Sequence, residues 1–371
     1  MFITLWVSVC LTTVQVRADE QSDVGAVASA KQVLTRVMGK EAVSRMELSV
    51  LPKAKGIDLY EYQSTPDQLQ IRGSSTSAIC RAAYDYIRAN QMGPVGWAGA
   101  RLNLPEQWPT TPLTKGGSPF KIRHCYNVCT SGYTTAYWTW ERWQPELDWM
   151  AMPGYNKILA PVAPEAIGTR VWLQMGFTQA EIDEYYAGPA HLPWNRMGNI
   201  RQVGGTLSPA WHRDQIELQH KLLKRMRELG IEPVIQGFAG FVPPSITRLY
   251  PSIKLHLTNW GGSSWSKSQR PVVMLPDDPL FAKITKAYLQ QWRKEFGDAR
   301  YVLVDSFNEM KLPDTGEPKA EQLAKYGKRT YEAITSAMPD AVWTLQGWMF
   351  NYQRYIWNKE TVKSLLQGIP D

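Results

Sequence analysis

The chain has 371 residues, 44% of them hydrophobic and 20% charged, a globular composition that excludes disorder as the default and leaves room for two or more domains. Its formal net charge of +7 would suit an acidic partner, but lysine and arginine stand singly along predicted helices, so nucleic-acid binding is the less favoured interpretation. The 16 Trp and 17 Tyr outnumber the 9 Phe, and their flat, polar-tipped rings suit sugars, although core filling explains part of the count.

Residues 1–18, MFITLWVSVCLTTVQVRA, have the pattern of a secretory signal peptide. An apolar stretch too short to cross a bilayer comfortably precedes Val16-Arg17-Ala18, a candidate cleavage site, although a positive charge at the extreme N-terminus is missing. No later segment is apolar for long enough to span a membrane, and no Asn stands in an N-x-[ST] context. The sequence therefore predicts a secreted or periplasmic protein, bacterial rather than lysosomal.

Residues 20–110 are predicted to form a small N-terminal α/β domain. The apolar periodicity indicates helices over 24–38 and 78–89, strands over 46–51, 59–62 and 68–72, and short extended runs over 95–98 and 101–104. The polar, proline-rich stretch 107–112 (QWPTTP) then predicts a linker.

From residue 121 onward, short strand candidates alternate with long helices, which is typical of a parallel sheet. The five predicted strands cover 122–127, 157–161, 233–238, 301–307 and 342–346. Clear start and stop signals bound helices over 209–229 and 279–296, and Thr178 with Glu181 forms a capping box. An open doubly wound sheet and a (β/α)8 barrel both fit this pattern. The lack of a Gly-rich nucleotide loop and the polar or aromatic residues after several strands favour the barrel.

The barrel is predicted to be incomplete. The span 121–371 is as long as the roughly 250 residues of a complete barrel, yet it holds only five predicted strands, because insertions such as 165–205 use up the length. Five strands cannot close a barrel, and an open sheet would leave two long edges unpaired. The expected fold is a small α/β domain followed by a TIM barrel truncated at its C-terminal end, with about five βα units.

Asn308 and Glu309 carry the predicted chemistry, because they follow the buried strand 301–304 at the end that faces a barrel mouth. Glycoside hydrolysis commonly uses two carboxyl groups, one of which protonates the leaving oxygen, and in retaining enzymes they stand roughly 5 Å apart. Asn308 could bind a sugar hydroxyl or an acetamido group. By themselves the two residues also fit a structural role, in which Glu309 is salt-bridged and Asn308 caps a turn.

Eight blocks in order carry a more specific pattern than this pair. They are Tyr126–Thr130 (YNVCT), Glu146–Ala151 (ELDWMA), Gly176–Ile182 (GFTQAEI), Gly188–Ala190 (GPA), Trp194–Asn199 (WNRMGN), Phe238–Pro243 (FAGFVP), Phe307–Met310 (FNEM) and Leu345–Trp348 (LQGW). Through these blocks the chain resembles the α-N-acetylglucosaminidase family over nearly all of its length after residue 20.

That resemblance implies a retaining exo-glycosidase that releases terminal α-linked N-acetylglucosamine (GlcNAc), as from heparan sulfate chains or from α-GlcNAc-capped glycans. Glu309 matches the family's acid/base. The positions that match the lining of its GlcNAc pocket are Asn127, Cys129, Trp194, Trp260, Asn308 and Trp348. Indole rings can wall a sugar and amides can bond its hydroxyls or acetamide, while core packing stays open for each Trp and a structural role for Cys129.

One departure concerns the family's nucleophile, a second Glu on a later barrel segment. No stretch after Trp348 matches it, and Glu360 has the sequence context of a helix start. Asp305 is expected to support Glu309 through a hydrogen bond rather than to replace the nucleophile. The alternative to an enzyme is therefore an inactive or sugar-binding fragment.

No metal or cofactor is expected. The five histidines are scattered along the chain, and three cysteines remain after the predicted signal peptide, an odd number that cannot form a full disulfide framework. Cys125 and Cys129 could pair or bind a metal, but C-x3-C without a second ligand pair is poor evidence for zinc. Cofactor-free hydrolysis of a glycan is the simplest hypothesis.

Overall fold

The structure is a computed structural model that describes residues 10–305 and 307–370, with side chains from residue 23 onward except that of Ser263. Residues 1–9 of the predicted signal peptide lie outside the described residues, and 10–18 lie in the first helix. The chain divides into two compact units, one of Met1–Cys125, Trp140–Ile158 and Lys224–Glu232, the other of Tyr126–Thr139, Leu159–Leu223 and Pro233–Asp371. Within the described part of the chain, no helix is long and apolar enough to cross a membrane.

The N-terminal part contains the predicted helices and strands together with elements that were not predicted. They are α1 (Cys10–Met38), α2 (Lys40–Ser44), β1 (Met46–Val50), β2 (Leu59–Ser64), β3 (Leu69–Gly73), α3 (Thr76–Ala89), β4 (Val95–Gly96), β5 (Gly99–Ala100) and β6 (Thr111–Gly117). Four of these strands form one sheet in the order β1-β3-β2-β6, β4 and β5 pair with each other, and α3 lies against β2 and β3. Ser75 caps α3 by accepting a hydrogen bond from Ala78 N at 3.1 Å. The helix predicted from residue 24 begins earlier, at Cys10.

The predicted linker over 107–112 is wrong, because this stretch belongs to the N-terminal sheet and its core. Trp108 is buried and its ring packs edge-on against Tyr86, with 5.9 Å between ring centroids. Thr111 begins β6, which pairs antiparallel with β2. An edge strand tolerates proline and polar residues, since one side of its backbone needs no partner, and this is why the composition resembled that of a linker.

The remaining elements, in chain order, include eight strands and ten α-helices among the described residues. The strands are β7 (His124–Cys125), β8 (Lys157–Ala160), β9 (Glu232–Gln236), β10 (Phe241–Val242), β11 (His256–Leu257), β12 (Val272–Val273), β13 (Tyr301–Leu303) and β14 (Val342–Thr344). The helices are α4 (Trp140–Ala151), α5 (Pro164–Gln174), α6 (Gln179–Asp183), α7 (Leu192–Arg196), α8 (Pro209–Glu228), α9 (Ile246–Leu249), α10 (Pro279–Phe296), α11 (Lys319–Ala337), α12 (Trp348–Tyr352) and α13 (Lys359–Leu366).

Five of these strands form one sheet in the order β14-β13-β9-β8-β7, which is the chain order. The pairs β7/β8, β9/β13 and β13/β14 are parallel. All five predicted barrel strands are therefore confirmed, and the fold is a small α/β domain followed by an incomplete (β/α)8 barrel. The small antiparallel sheet β10-β12-β11, in the connection between β9 and α10, was not predicted because its strands have two residues each.

The helix signals in the sequence are confirmed as well. Thr178 and Glu181 form the predicted capping box of α6. Helix α10 begins after its N-cap Asp278, with proline in the first turn, and ends at Gly297. These signals act within a few residues of each helix end, which makes them readable from sequence.

A cluster of buried apolar side chains packs against two of the predicted site residues. Its members are Val128, Leu159, Met197, Val234 and Leu303, and Cys129 and Trp194 are among the partly buried residues that pack against it. These apolar contacts hold Cys129 and Trp194 in position.

Candidate active site

The predicted site residues follow the carboxyl ends of the five barrel strands. Asn127 and Cys129 follow β7, Trp194 lies in α7 after β8, and Trp260 lies in the long connection after β9. Asn308 and Glu309 follow β13, and Trp348 is the first residue of α12 after β14. Because the strands are parallel, all of these connections lie at the same end of the barrel, which is where barrel enzymes place their sites.

Glu309 is held between two tryptophans. Trp348 Nε1 donates a hydrogen bond to Glu309 Oε1 at 2.6 Å, and Trp260 Nε1 donates to Oε2 at 2.9 Å. Among the described residues Glu309 forms no ion pair, so the alternative in which it is a structural salt bridge is wrong. Both oxygens of the half-buried carboxyl thus accept hydrogen bonds, which fix its orientation.

The backbone around Glu309 has two residues in the left-handed region. Phe307 has φ 63° and Glu309 has φ 56°, which is uncommon for residues other than glycine. Buried Phe307 packs against Tyr326 at 5.3 Å, and Asn199 Nδ2 donates to Asn308 O at 3.0 Å. These contacts hold a backbone conformation of the kind that concentrates at functional sites.

Asn308 and Asn199 each bury an amide oxygen that has no hydrogen-bond partner among the described residues. Asn308 is 4% exposed and Asn199 is fully buried. Asn308 Oδ1 therefore caps no turn among the described residues. Buried acceptors of this kind need donors, which a water, a hydroxyl or an amide N–H of a bound molecule can supply.

Each of the three tryptophans contacts a second aromatic ring. Trp260 stacks on Trp265 at 5.9 Å and 21° between planes, and Trp348 stacks on Tyr352 at 5.3 Å and 14°. Trp194 meets Tyr133 edge-on at 5.1 Å. The second layer (Tyr133, Trp265 and Tyr352) was missed from the sequence, where only the high aromatic count pointed to it.

Asn127 and Cys129 differ in their exposure and in the groups that they contact. Asn127 is exposed, and its Oδ1 accepts from Thr130 N and Thr130 Oγ1, both at 3.1 Å, so its amide oxygen supports the local turn. Cys129 is a free thiol, so it forms no disulfide with Cys125. Burial and then the negative charge of Glu309 raise the pKa of the Cys129 thiol, which couples this residue to the site and keeps it protonated.

Asp305 stands at the base of the segment that carries Glu309. It is 2% exposed, and its Oδ1 accepts from Gln346 N at 2.9 Å, while Oδ2 has no partner among the described residues. Burial raises the pKa of Asp305 to about 7, and the hydrogen bonds from Gln346 only partly oppose that rise. The hydrogen bond links the ends of β13 and β14, which carry Glu309 and Trp348.

A buried ion pair beside the site was missed from the sequence. Arg196 binds both carboxylate oxygens of Glu165, with distances of 2.6 and 3.0 Å, and both side chains are buried. This pair joins α7, which carries Trp194, to α5. The sequence contains no local signal for this ion pair, because its two partners lie 31 residues apart.

Metal ligands do not cluster anywhere in the part of the chain that the structure describes. The described groups that meet at the candidate site are instead a carboxyl, two indole N–H donors and buried amide oxygens. Such a set can bind hydroxyl and amide groups of a neutral ligand and can transfer a proton through Glu309.

Comparison with known proteins identifies relatives of this chain. A family profile for the α-N-acetylglucosaminidase (NAGLU) TIM-barrel domain matches residues 123–371, and one for the N-terminal domain matches 28–110. Human (Homo sapiens) α-N-acetylglucosaminidase is 37% identical over 359 residues, which are 95% of this chain and 47% of that protein. The chain therefore spans about half the length of this curated relative.

Two solved structures share the fold. The family 89 glycoside hydrolase from Clostridium perfringens, in complex with 2-acetamido-1,2-dideoxynojirmycin, has a TM-score of 0.83 at 24% identity and covers 95% of this chain and 39% of its own. CpGH89 from the same organism, in complex with its substrate GlcNAc-alpha-1,4-galactose, has the same TM-score and identity and covers 94% and 39%.

Proposed function

This chain belongs to the α-N-acetylglucosaminidase family, and on that premise we propose that its barrel, over residues 121–371, carries the acid/base of a retaining glycoside hydrolase. The reaction releases terminal α-linked GlcNAc from glycans or glycosaminoglycans. The single observation that carries the proposal is the placement of Glu309 at the strand ends, oriented by Trp260 and Trp348. A carboxyl held at one angle beside aromatic walls suits proton transfer to a glycosidic oxygen.

Glu309 has two tasks in this proposal. As an acid it protonates the leaving oxygen while the bond from that oxygen to the anomeric carbon breaks and a second carboxylate, the family's nucleophile, bonds to the carbon. As a base it then takes a proton from the water whose oxygen displaces that carboxylate and releases the sugar. The buried oxygen of Asn308 suits a hydroxyl or the acetamido N–H of GlcNAc. No stretch of this sequence matches the family's nucleophile, and Glu360 is exposed in the first turn of α13, so we assign it no catalytic task.

We infer the substrate class from the relatives. CpGH89 was solved with GlcNAc-alpha-1,4-galactose, so a glycan with a terminal α-GlcNAc is the proposed substrate. The net charge of +7 is compatible with a sulfated, heparan-type chain. Turnover of a heparan-derived oligosaccharide at low salt but not at high salt would support the heparan-type substrate.

The proposed cellular location is the periplasm or the medium. It follows from the signal-peptide pattern of residues 1–18. N-terminal sequencing of exported protein should begin at Asp19, and retention of residues 1–18 in a cytoplasmic product would contradict the proposal.

The test of the activity uses two substrates that differ in leaving group, GlcNAc-α-1,4-galactose and 4-nitrophenyl α-GlcNAc. Glu309→Gln should lower kcat/KM on the disaccharide by about 10²–10⁴-fold, and by less on the aryl glycoside, whose leaving group needs little protonation. Glu360→Gln, at an exposed carboxylate, is the matched control and should behave as the parent chain.

Three outcomes decide the proposal. Turnover lost with Glu309→Gln but not with Glu360→Gln supports the enzyme. Binding of GlcNAc without turnover by the parent chain supports the sugar-binding fragment instead. Equal turnover by Glu309→Gln and the parent chain on the disaccharide overturns the acid/base assignment.

A further inference from the structure

Three side-chain amides bind the backbone of residues 307–311, the acid segment, which carries Glu309. We propose that these amides, of Asn199, Asn259 and Gln353, are positioning residues that set the angle at which the Glu309 carboxyl meets the glycosidic oxygen. This inference rests on the proposed function of Glu309 and adds residues that act through it.

The acid segment depends on other parts of the chain for its conformation. It lies between β13 and α11 and belongs to no helix or strand. Phe307 and Glu309 are both in the left-handed region of φ, and within the segment Met310 N donates to Phe307 O at 3.3 Å. Backbone groups outside regular structure need other partners, and a strained backbone persists only where its surroundings hold it.

Two of the amides hold the same peptide, the one that joins Met310 to Lys311. Gln353 Nε2 donates to Met310 O at 3.0 Å, and Asn259 Oδ1 accepts from Lys311 N at 3.2 Å. The C=O and N–H of a trans peptide point in opposite directions, so the two side chains hold this peptide from opposite sides.

The third amide, that of Asn199, holds the peptide before Glu309. Its Nδ2 donates to Asn308 O at 3.0 Å. The Asn308 carbonyl and the Glu309 N–H lie in one planar peptide, so this contact fixes the plane against which Glu309 adopts its φ of 56°. The three amides together fix the peptides on both sides of the pair Glu309-Met310.

Each amide lies in the same connection as one of the three site tryptophans. The pairs, in the connections after β8, β9 and β14, are Asn199 with Trp194, Asn259 with Trp260, and Gln353 with Trp348. Asn199 N also donates to Trp194 O at 2.7 Å, and Asn259 stands directly before Trp260. The amides therefore tie the connections that carry the rings to the segment that carries the acid.

Asn199 and Gln353 are poor choices for packing alone. Asn199 is fully buried and Gln353 is 2% exposed, yet the amide oxygen of each has no hydrogen-bond partner among the described residues. Burial of an unpaired amide oxygen is unfavourable, so an apolar side chain of the same size would pack at lower cost. Costs of this kind are typical of functional sites, and here the donor half of each amide binds the acid segment.

Substitutions of similar volume test the donors. Asn199→Leu and Gln353→Met each remove the N–H donor and the unpaired oxygen together. Gln322→Met is the matched control. Gln322 is 8% exposed and its Nε2 donates to Pro313 O at 3.0 Å, so the control removes the same kind of bond from the same connection, outside the acid segment.

The kinetic measurement is the ratio of kcat/KM on GlcNAc-α-1,4-galactose to kcat/KM on 4-nitrophenyl α-GlcNAc. Both substrates present the same sugar, but only the disaccharide has a leaving oxygen that needs a well-placed acid. The ratio should fall by about 10–10²-fold in Asn199→Leu and in Gln353→Met and stay at the parent value in Gln322→Met. Partial unfolding lowers both values by the same factor and leaves the ratio unchanged.

A second measurement needs no turnover. The indole ¹⁵N–¹H signals of Trp260 and Trp348, identified by their loss in Trp260→Phe and Trp348→Phe, report the hydrogen bonds to Glu309. In Asn199→Leu both signals should move in the direction that Glu309→Ala moves them.

Gln353→Met is judged on the Trp260 signal alone, because Gln353 directly follows the helix that carries Trp348. That signal should move as it does in Glu309→Ala. Gln322→Met should leave both indole signals in place.

The outcomes separate this inference from the proposed function. An unchanged kinetic ratio or unmoved indole signals in Asn199→Leu and Gln353→Met overturn the positioning role, and so does an equal change in Gln322→Met. If the parent chain turns over neither substrate, the proposed activity of this chain fails and the indole signals alone decide. Signals that move as in Glu309→Ala then support the positioning role, and unmoved signals overturn it.

Discussion

Asp305→Asn should change the pH dependence of folding in a predictable direction. The carboxyl of Asp305 is fully buried, and its pKa rises from an ordinary 3.8 to about 7 because burial disfavours the charged form. Between these two values the unfolded chain has lost the proton that the folded chain keeps. The free energy of unfolding therefore falls as pH rises from about 4 to about 7, and the loss is constant above that range.

The size of the effect follows from the pKa values. A rise of about three units, at roughly 1.4 kcal/mol per unit, corresponds to about 4 kcal/mol at neutral pH. Asparagine does not titrate, and its amide oxygen can still accept the hydrogen bond from Gln346 N. Relative to the parent chain, Asp305→Asn should therefore gain about 4 kcal/mol of stability over the whole range, of which about 3 kcal/mol falls between pH 4.5 and pH 7.5.

The assay is urea unfolding of both chains at about pH 4.5 and about pH 7.5, followed by tryptophan fluorescence, with equal m values as a condition. The quantity that decides is the change in ΔΔG between the two pH values, because any pH-independent effect of the amide cancels. Asp340→Asn, at an exposed carboxylate, is the control and should show no such change. If Asp305→Asn gains less than about 1 kcal/mol across this range, or loses stability, burial does not hold the proton on Asp305.

Three further substitutions test the framework of the site by urea unfolding. Glu165→Gln leaves the buried guanidinium of Arg196 without its counter-charge and should lower the free energy of unfolding by about 3–5 kcal/mol; a loss under about 1 kcal/mol would show that the pair is not buried as described. Thr178→Ala removes the capping box of α6 and should lower the free energy of unfolding by about 1 kcal/mol. An unchanged urea midpoint would contradict that contact. Gly198→Ala should lower the free energy of unfolding by at least about 1–3 kcal/mol, because φ is 72° there and the added Cβ would lie 1.9 Å from the ring of Phe241; full stability would refute that packing.

Local sequence signals were sufficient for most of the fold. The buried runs that became β8, β9, β13 and β14, and the cap residues of α6 and α10, act through hydrogen bonds and side-chain contacts within a few positions. Such signals can be recognised without knowledge of the tertiary structure. The matching blocks placed Glu309 at a strand end in the same way, since they preserve order and spacing along the chain.

The tertiary structure alone decided the environment of Glu309. Its two indole donors, Trp260 and Trp348, lie 49 and 39 residues away along the chain. No local sequence pattern predicts that both donate to the same carboxyl. The burial of Asp305 and of Trp108 depends in the same way on elements that come together only after folding. Local hydrogen bonding sets where helices and strands begin and end, but the path of long connections sets which side chains meet. For this chain the sequence therefore determined the barrel strands and the residue to mutate first, and the packing of the connections determined how that residue is held.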